Sequence, residues 1–229
     1  MPESKTRVSR VRRAALLAFA AATMVAVGVT ASPAGAAKKP KPVVKMSAGD
    51  LTVYKVGNDP QALPDDVRDQ VMATLLGYVN AATVKPLQTG SADPTALSAA
   101  LAPSVAARLT GPDRTVLLDE GLPKSVSKIV VNAAPVKLTG LADGDGKVVV
   151  VTANLDATTT TKTAKGKMSI KRNGELVLTP ADGTWKISGY TLFVDRLGKG
   201  LGPTTTATTT PVTPGAATAP AATPGSVAK

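Results

Sequence analysis

The chain has 229 residues, a formal net charge of +11 and neither histidine nor cysteine. Without histidine it lacks the commonest general base and zinc ligand, and without cysteine it lacks thiol nucleophiles, thiolate metal sites and disulfides. Basic and acidic residues are nearly balanced between residues 50 and 196, so the positive excess belongs mainly to the ends of the chain. A nucleic-acid-binding domain concentrates its basic residues on the folded part, and we therefore predict no nucleic-acid partner.

The first 36 residues have the three parts of a secretory signal peptide. A cluster of arginines precedes an apolar run at residues 14–29, and Ala34 and Ala36 occupy the small-residue positions before a cleavage site at Ala37. We therefore predict that residues 1–36 are removed on export, which leaves a secreted or extracytoplasmic cell-envelope protein. In the alternative, the apolar run remains as an uncleaved membrane anchor, since its length is near the lower limit for spanning a bilayer.

Two low-complexity segments flank the central part of the chain. Residues 37–49 form a basic linker whose lysines predict weak contact with an anionic membrane surface or wall polymer, or else a solvated run of charge. Residues 198–229 are rich in Thr, Pro and Ala and lack the apolar periodicity of a core, which predicts a disordered tail. Its candidate O-glycosylation sites are Thr204, Thr205, Thr206, Thr208, Thr209 and Thr210. Export, high alanine content and such a tail resemble envelope proteins of actinobacteria.

Residues 50–197 are predicted to form one α+β domain. A short strand is expected at residues 51–56. Pro64, three aspartates and apolar residues at helical spacing then predict a long N-terminal helix over residues 63–85, ended by Lys85-Pro86. Proline and glycine divide residues 93–121 into short helices. After residue 125 alternating apolar residues predict about four long, mainly antiparallel strands in a curved sheet.

The stretch "GKMSIKRNGELVLTPADGTWKISGYTLFVDR" at residues 166–196 has two interpretations. Asn173-Gly174 is a strong hairpin signal, but a hairpin there scatters the apolar side chains over both faces. The parity of these side chains favours one continuous strand with a bulge or bend at Asn173-Gly174 and a turn at residues 180–183. In the last strand, a bulge at Gly189 places Trp185 and Tyr190 on one face.

A curved sheet closed around a helix and ending in "GTWKISGY" at residues 183–190 resembles the cone-shaped fold of the nuclear transport factor 2-like superfamily. A cystatin-like helix on a sheet is the neighbouring alternative. The resemblance implies a cone that holds a ligand, with Tyr78, Trp185 and Tyr190 as candidate pocket residues. Trp185 has two possible roles, a core wedge against the helix or a residue at the mouth of the cone, and the scarcity of other aromatics favours the wedge.

The sequence offers little for catalysis. Asp143, Asp145 and Gly146 faintly resemble a calcium loop, but the remaining ligands are missing and a hairpin turn is predicted, with no metal and no cofactor. Ketosteroid isomerases of the superfamily use a carboxylate base and a tyrosine, which makes Tyr78 and Asp156 a conceivable pair. We predict instead a non-catalytic domain that binds a small apolar ligand or an envelope protein, or alternatively a structural or accessory module of an envelope complex.

Overall fold

The computed structural model describes residues 41–55, 57–111, 113–199 and 201. The predicted signal peptide, its cleavage residues Ala34, Ala36 and Ala37, and the six threonines of the tail lie outside these residues. None of the helices in the described ranges has the length and apolar character needed to cross a membrane. The mixed α+β class is confirmed, since a few short helices lie beside a curled sheet.

The first helical segment has three consecutive parts. They are α1 (Asp65–Val79), a π-helical turn (Asn80–Val84) and α2 (Lys85–Thr89). The predicted end at Lys85-Pro86 is therefore wrong. Proline has no N–H and its ring crowds the carbonyl four residues earlier, and the wider π turn lets the helix pass this residue. The segment ends at Gly90, which adopts the left-handed conformation.

Proline and glycine divide the next stretch into short helices, as the sequence predicts. They are α3 (Pro94–Ser98), α4 (Pro103–Ala106) with a 3₁₀ turn at Ala107–Thr110, and α5 (Arg114–Leu117). Asp93 caps α3, because its side chain accepts hydrogen bonds from the backbone N–H groups of Thr95 and Ala96 at 2.9 and 3.2 Å.

The strands of the described residues form one curled, mainly antiparallel sheet. They are β1 (Val43–Lys45), β2 (Ala48–Tyr54), β3 (Val130–Ala133), β4 (Val136–Ala142), β5 (Val148–Thr163), β6 (Gly166–Ala181) and β7 (Thr184–Gly198). Along one edge of β5, β4 pairs with the first half and β3 with the second, while β6 and then β7 follow on the other edge. β1 and β2 add parallel pairs to β3 and β4. β1 and the beginning of β2 therefore lie before residue 50, which is the domain start predicted from the sequence.

β6 passes through Asn173-Gly174 as one strand, which confirms the prediction from side-chain parity and rejects the hairpin. Its pairing with β5 keeps one register across this point, so Asn173-Gly174 is not a bulge. Gly174 instead has a φ of 144°, a conformation that other residues rarely adopt. The turn between β6 and β7 lies at Asp182-Gly183, inside the predicted residues 180–183.

The bulge predicted near Gly189 is also present. The register between β6 and β7 shifts between Val177 and Leu178, where Val177 pairs with Gly189 and Leu178 pairs with Ile187. The extra residue restores the same face to both halves of β7, so that Trp185 and Tyr190 are both buried.

The helices cover one face of this sheet, called the inner face here. Val71, Leu75 and Tyr78 of α1 belong to the same buried cluster as the alternate, inward residues of β5, β6 and β7. The opposite, outer face of β5 and β6 carries the intervening residues, which are mostly polar and more exposed. The same strands therefore have a buried inner face and a more exposed outer face, and polar side chains on the two faces have different partners.

Candidate functional site

A buried polar cluster on the inner face begins with a consequence of Pro86. Because Pro86 has no N–H, the carbonyl of Ala82 is free from the usual helical bond four residues on. The backbone N–H of Asp119 donates to this carbonyl at 2.9 Å. That bond fixes the segment after α5 against the π turn and places the side chain of Asp119, which is fully buried, beneath the sheet.

Two arginines from the sheet converge on Asp119. Nη2 of Arg172, in β6, lies 2.9 Å from Oδ2, and Nε of Arg196, in β7, lies 2.7 Å from Oδ1. The hydroxyl of Thr83 in the π turn donates to Oδ2 at 2.5 Å. Buried carboxylates require such partners, because an unpaired charge away from water is very costly.

Arg172 itself is almost fully buried, with 2% of its surface exposed. Its Nη1 donates to the hydroxyl of Tyr78 at 2.8 Å and to the carbonyl of Val116, and its guanidinium lies 5.5 Å from the centre of the Tyr78 ring. Burial raises the pKa of the Tyr78 hydroxyl, partly offset by the nearby Arg172 charge. Tyr78 is thus a neutral core residue that helps to hold α1 against β6.

This buried cluster does not contain the Tyr78–Asp156 pair that an isomerase-like site would require. Asp156 lies on the outer face opposite Asn173, half-exposed, and its carboxylate is 3.6 Å from the amine of Lys171. The carboxylate that shares a cluster with Tyr78 is Asp119. Its oxygens accept from two arginines and a threonine, so the arrangement fastens the helical layer to the sheet.

The other two predicted pocket residues occupy separate places. The Tyr190 hydroxyl donates to Oδ2 of Asp113 at 2.7 Å, and Arg108 donates to the same oxygen at 2.9 Å. Burial first, and then the bond to Asp113, raises the pKa of Tyr190. Trp185 is 6% exposed and borders a groove of about 500 Å³ between α1, α3 and the β6–β7 turn. The structure therefore does not bring Tyr78, Trp185 and Tyr190 together in a shared pocket.

A second groove, here called the end groove, lies at the end of the sheet formed by the β5–β6 turn. Its volume is about 530 Å³ and most of its lining surface is apolar. A row of outward residues paired across successive strands contributes to its floor: Val130, Thr160, Ser169 and Leu197. Val43 of β1 pairs with Val130 and extends this row by one strand. The row is apolar at both ends and hydroxylated in the middle.

A lysine stands two residues beyond each member of that row, towards the end of the sheet. This lysine row consists of Lys41, Lys128, Lys162, Lys167 and Lys199, all of them exposed. Lys162 and Lys167 are directly opposite each other in the β5–β6 pairing, and both border the end groove together with Lys128. Since side chains alternate along a strand, Lys162 and Lys167 share the outer face with Thr160 and Ser169.

Long stretches of the chain around this end of the sheet contain no acidic residue, and the outward carboxylate of β7, Asp195, lies opposite Lys171. Asp and Glu are absent from residues 121–142, 157–174 and 196–229. Within the part of the chain that the structure describes, the ion pairs leave the lysine row without a carboxylate partner. Positive and negative residues are therefore unevenly distributed within residues 50–196, although their totals nearly balance. The stretches without Asp or Glu were a signal of this in the sequence.

The described residues offer no cluster of acidic or other ligating side chains suited to a metal ion. The chain matches no protein-family model, no curated protein and no solved structure. The resemblance to the nuclear transport factor 2-like superfamily therefore stays a prediction. The end groove with its lysine row combines a concave apolar surface with uncompensated charge.

Proposed function

We propose that this protein is an exported, non-catalytic binding domain whose end groove takes a small apolar ligand that carries an anionic group. The observation that carries the proposal is the meeting of an apolar groove of about 530 Å³ with an acid-free row of lysines. This volume lies within the roughly 300–1,000 Å³ of small-molecule sites, which are mostly apolar with a few polar groups that orient the ligand.

Each part of the groove has a distinct role in this proposal. Val130 and Leu197 supply apolar contact for a hydrocarbon part of the ligand. Lys162 and Lys167 supply the charge for a carboxylate or phosphate, which are strong acceptors for charged donors. The hydroxyls of Thr160 and Ser169 lie between the apolar ends and offer further hydrogen bonds.

The same lining supports binding without catalysis. Its hydroxyl groups include Ser127, Thr160 and Ser169, and the side chains that border the groove include no carboxylate. Activation of a hydroxyl nucleophile requires an adjacent general base, and the hydroxyl of Ser127 is hydrogen-bonded to Thr161 and to backbone groups and not to a lysine amine. A groove whose ionisable neighbours are lysines suits the retention of an anion.

Titration of the chain that begins at Ala37 with monomeric dodecanoate, followed by calorimetry, tests this function. This chain keeps every residue of the described core, which lies between Val53 and Val194. We expect binding that falls by roughly 10-fold or more in the double variant Lys162→Gln/Lys167→Gln, because charge-assisted hydrogen bonds are lost. Lys137→Gln/Lys147→Gln, which removes one exposed lysine of β4 and one of the β4–β5 turn, is the matched control and should bind as the parent does.

Two results would contradict the proposal. Equal binding of dodecanol would show that the anionic group contributes nothing. Equal binding by the parent and by Lys162→Gln/Lys167→Gln would place the site elsewhere, and the groove beside Trp185 is then the next candidate.

Export is part of the proposed function and has its own test. Amino-terminal sequencing of the protein from its native cells should begin at Ala37 if residues 1–36 are removed. A membrane-retained chain that still begins at its first residues would favour the anchor instead. An accessory role in an envelope complex remains the alternative function and predicts co-purification of the domain with a partner protein.

A further inference from the structure

Exposed apolar side chains lie directly beside the lysine row. Val126 and Leu197 have 66% and 62% of their surface exposed. The backbone N–H of Val126 donates to the carbonyl of Lys162 at 2.9 Å, which places it next to that lysine. Leu197 pairs with Ser169 and borders the end groove. Leu197 extends the apolar lining of the groove onto the surface, and apolar surface continuous with a groove is a feature of interaction sites.

The lysine row is also unfavourable within the isolated domain. Lys162 and Lys167 face each other across β5 and β6, and like charges directly opposite in a sheet are destabilising. Residues 121–142, 157–174 and 196–229 supply no acidic residue to offset this repulsion, and the outward carboxylate of β7, Asp195, lies opposite Lys171, four residues along β6 from Lys167. A negatively charged partner removes it, so the surface is complementary to an anion-rich surface as well as to a single anionic group.

We propose that this end of the sheet docks on the surface of a lipid bilayer that contains anionic lipids. The lysine row meets the headgroups, and Val126 and Leu197 enter the boundary between headgroups and acyl chains. The end groove then faces the bilayer, so that an acyl chain with its anionic headgroup is the ligand presented to it. This inference rests on the proposed function, because the same lysines bind the anionic group in both.

The apolar residues favour a bilayer over a soluble polyanion as the occupant. A polymer of phosphate or carboxylate groups is complementary to the lysines alone and leaves Val126 and Leu197 in water. Burial of apolar surface adds to electrostatic attraction at a membrane interface. The basic linker, with Lys38 and Lys39 just before Lys41, adds more positive charge to the same chain.

Co-sedimentation with vesicles tests the docking. The chain that begins at Ala37 is used, so that the apolar run of residues 14–29 takes no part. We expect binding to vesicles of phosphatidylcholine mixed with phosphatidylglycerol and much weaker binding to phosphatidylcholine alone. Lys162→Gln/Lys167→Gln should weaken the partition coefficient by roughly 30-fold at low salt, since each lysine near an anionic surface contributes about fivefold. Val126→Ser/Leu197→Ser should weaken it by roughly 10-fold.

The control variant Lys137→Gln/Lys147→Gln removes the same charge and should leave vesicle binding close to that of the parent. An equal loss in this control would overturn the proposal, because net charge and not the lysine row would then govern binding. An unchanged partition of Val126→Ser/Leu197→Ser, with full displacement by soluble polyphosphate, would overturn it in favour of a polyanion. Vesicle binding that emerges only when the chain is cut after Leu201 would assign the groove to the chain's own residues 202–229.

The two proposals fail in different ways. Binding of monomeric dodecanoate without any binding to anionic vesicles leaves the ligand site intact and overturns the docking. Absence of both overturns the proposed function and the docking with it. Circular dichroism of every variant, all of which alter exposed residues, confirms that a loss of binding is not a loss of folding.

Discussion

β6 carries two kinds of positive charge, one on each face of the sheet. On the inner face, Arg172 is buried and reaches a carboxylate, a tyrosine hydroxyl and a backbone carbonyl from the helical layer. On the outer face, Lys167 is exposed and stands opposite another lysine. The inner cation is neutralised by its own chain, whereas Lys167 has no ion pair with a carboxylate among the described residues.

The difference between the two cations follows from their unequal access to water. A buried guanidinium without a carboxylate is costly, so Arg172 requires Asp119 if the fold is to form. An exposed ammonium is hydrated and screened, so an unpaired lysine costs little and is free to bind. The inner cluster therefore contributes to stability, whereas the lysine row has the binding role that we propose for it, and variants of the two sides should differ in what they change.

The largest effect should come from removal of the inner carboxylate. Asp119→Ala leaves Arg172 buried without its charged partner, and loss of one member of a buried ion pair costs about 3–5 kcal/mol. That is a large part of the roughly 5–15 kcal/mol by which a domain is stable. Chemical denaturation of the parent and the variant measures the change in free energy of unfolding.

A double-mutant cycle sharpens this result. In an Arg172→Met background the second change, Asp119→Ala, should cost much less, because Arg196 retains some access to water with 15% of its side chain exposed. Equal costs in both backgrounds would show that Arg172 and Asp119 are not coupled, and the account of the inner cluster would then be wrong.

A substitution of Trp185 tests the apolar packing of the inner face without a change of charge. As a core wedge it fills space between β7 and α1, where the hydroxyl of Thr74 donates to its carbonyl at 2.8 Å. Trp185→Ala should cost about 3–5 kcal/mol, the usual range for a buried tryptophan. Phe193→Ala, on the outer face of the same strand, is the control and should cost far less. A denaturation midpoint that barely moves for Trp185→Ala would assign it to the mouth of a groove instead.

Gly174 lies in the middle of β6, where the chain adopts a conformation that residues other than glycine rarely take. A Cβ at this position would lie 1.9 Å from the carbonyl oxygen of Thr191, and φ is 144°. Gly174→Ala should therefore cost about 1–3 kcal/mol from the backbone conformation alone, with the steric clash in addition. Gly144→Ala, in the β4–β5 turn with open space around it, serves as the control in thermal unfolding. Similar melting temperatures for the two variants would show that β6 adapts easily there.

Local sequence pattern predicted those parts of the fold that depend on neighbouring residues. The parity of Ile170 and Leu176 predicted one strand through Asn173-Gly174, and Gly189 predicted the bulge. The predicted helix end at Lys85-Pro86 was wrong because the carbonyl of Ala82 accepts a hydrogen bond from the N–H of Asp119, far along the chain. Proline rules describe the local helix and do not include such a tertiary donor.

The sites were harder to predict for the same reason. Arg172 and Asp119 are 53 residues apart in the chain, and no local spacing connects them. The sequence held one signal that Arg172 is buried: in the alternation along β6 it falls on the same face as the apolar residues. The lysine row needs the pairing of five strands before its members align, although the acid-free stretches of the sequence were visible from the start.

Tyr78 connects stability of the inner cluster to pH. Burial raises the pKa of its hydroxyl, so its neutral form stabilises the fold fully below its ordinary pKa of about 10, and this contribution is lost as pH rises towards the raised value. Tyr78→Phe should cost about 1 kcal/mol near neutral pH through the lost hydrogen bond. Above pH of about 10 the gap between parent and variant should narrow. The exposed Tyr54→Phe is the control, and a constant gap for Tyr78→Phe would contradict the assignment.

The smallest change in stability should come from a substitution in the lysine row, and it should be a gain in stability, unlike the losses expected for the variants above. Lys162→Glu places a carboxylate opposite Lys167, and exchange of a like-charge pair for an opposite pair across a sheet should stabilise the domain by about 0.2–1 kcal/mol. Lys137→Glu, opposite the neutral Asn154, is the matched control and should leave stability nearly unchanged. Denaturant titration measures both variants, and vesicle co-sedimentation of the same samples should show that only Lys162→Glu has lost binding. A variant that is more stable yet binds less well separates recognition from folding; a loss of stability in Lys162→Glu would mean that the lysine row also supports the fold.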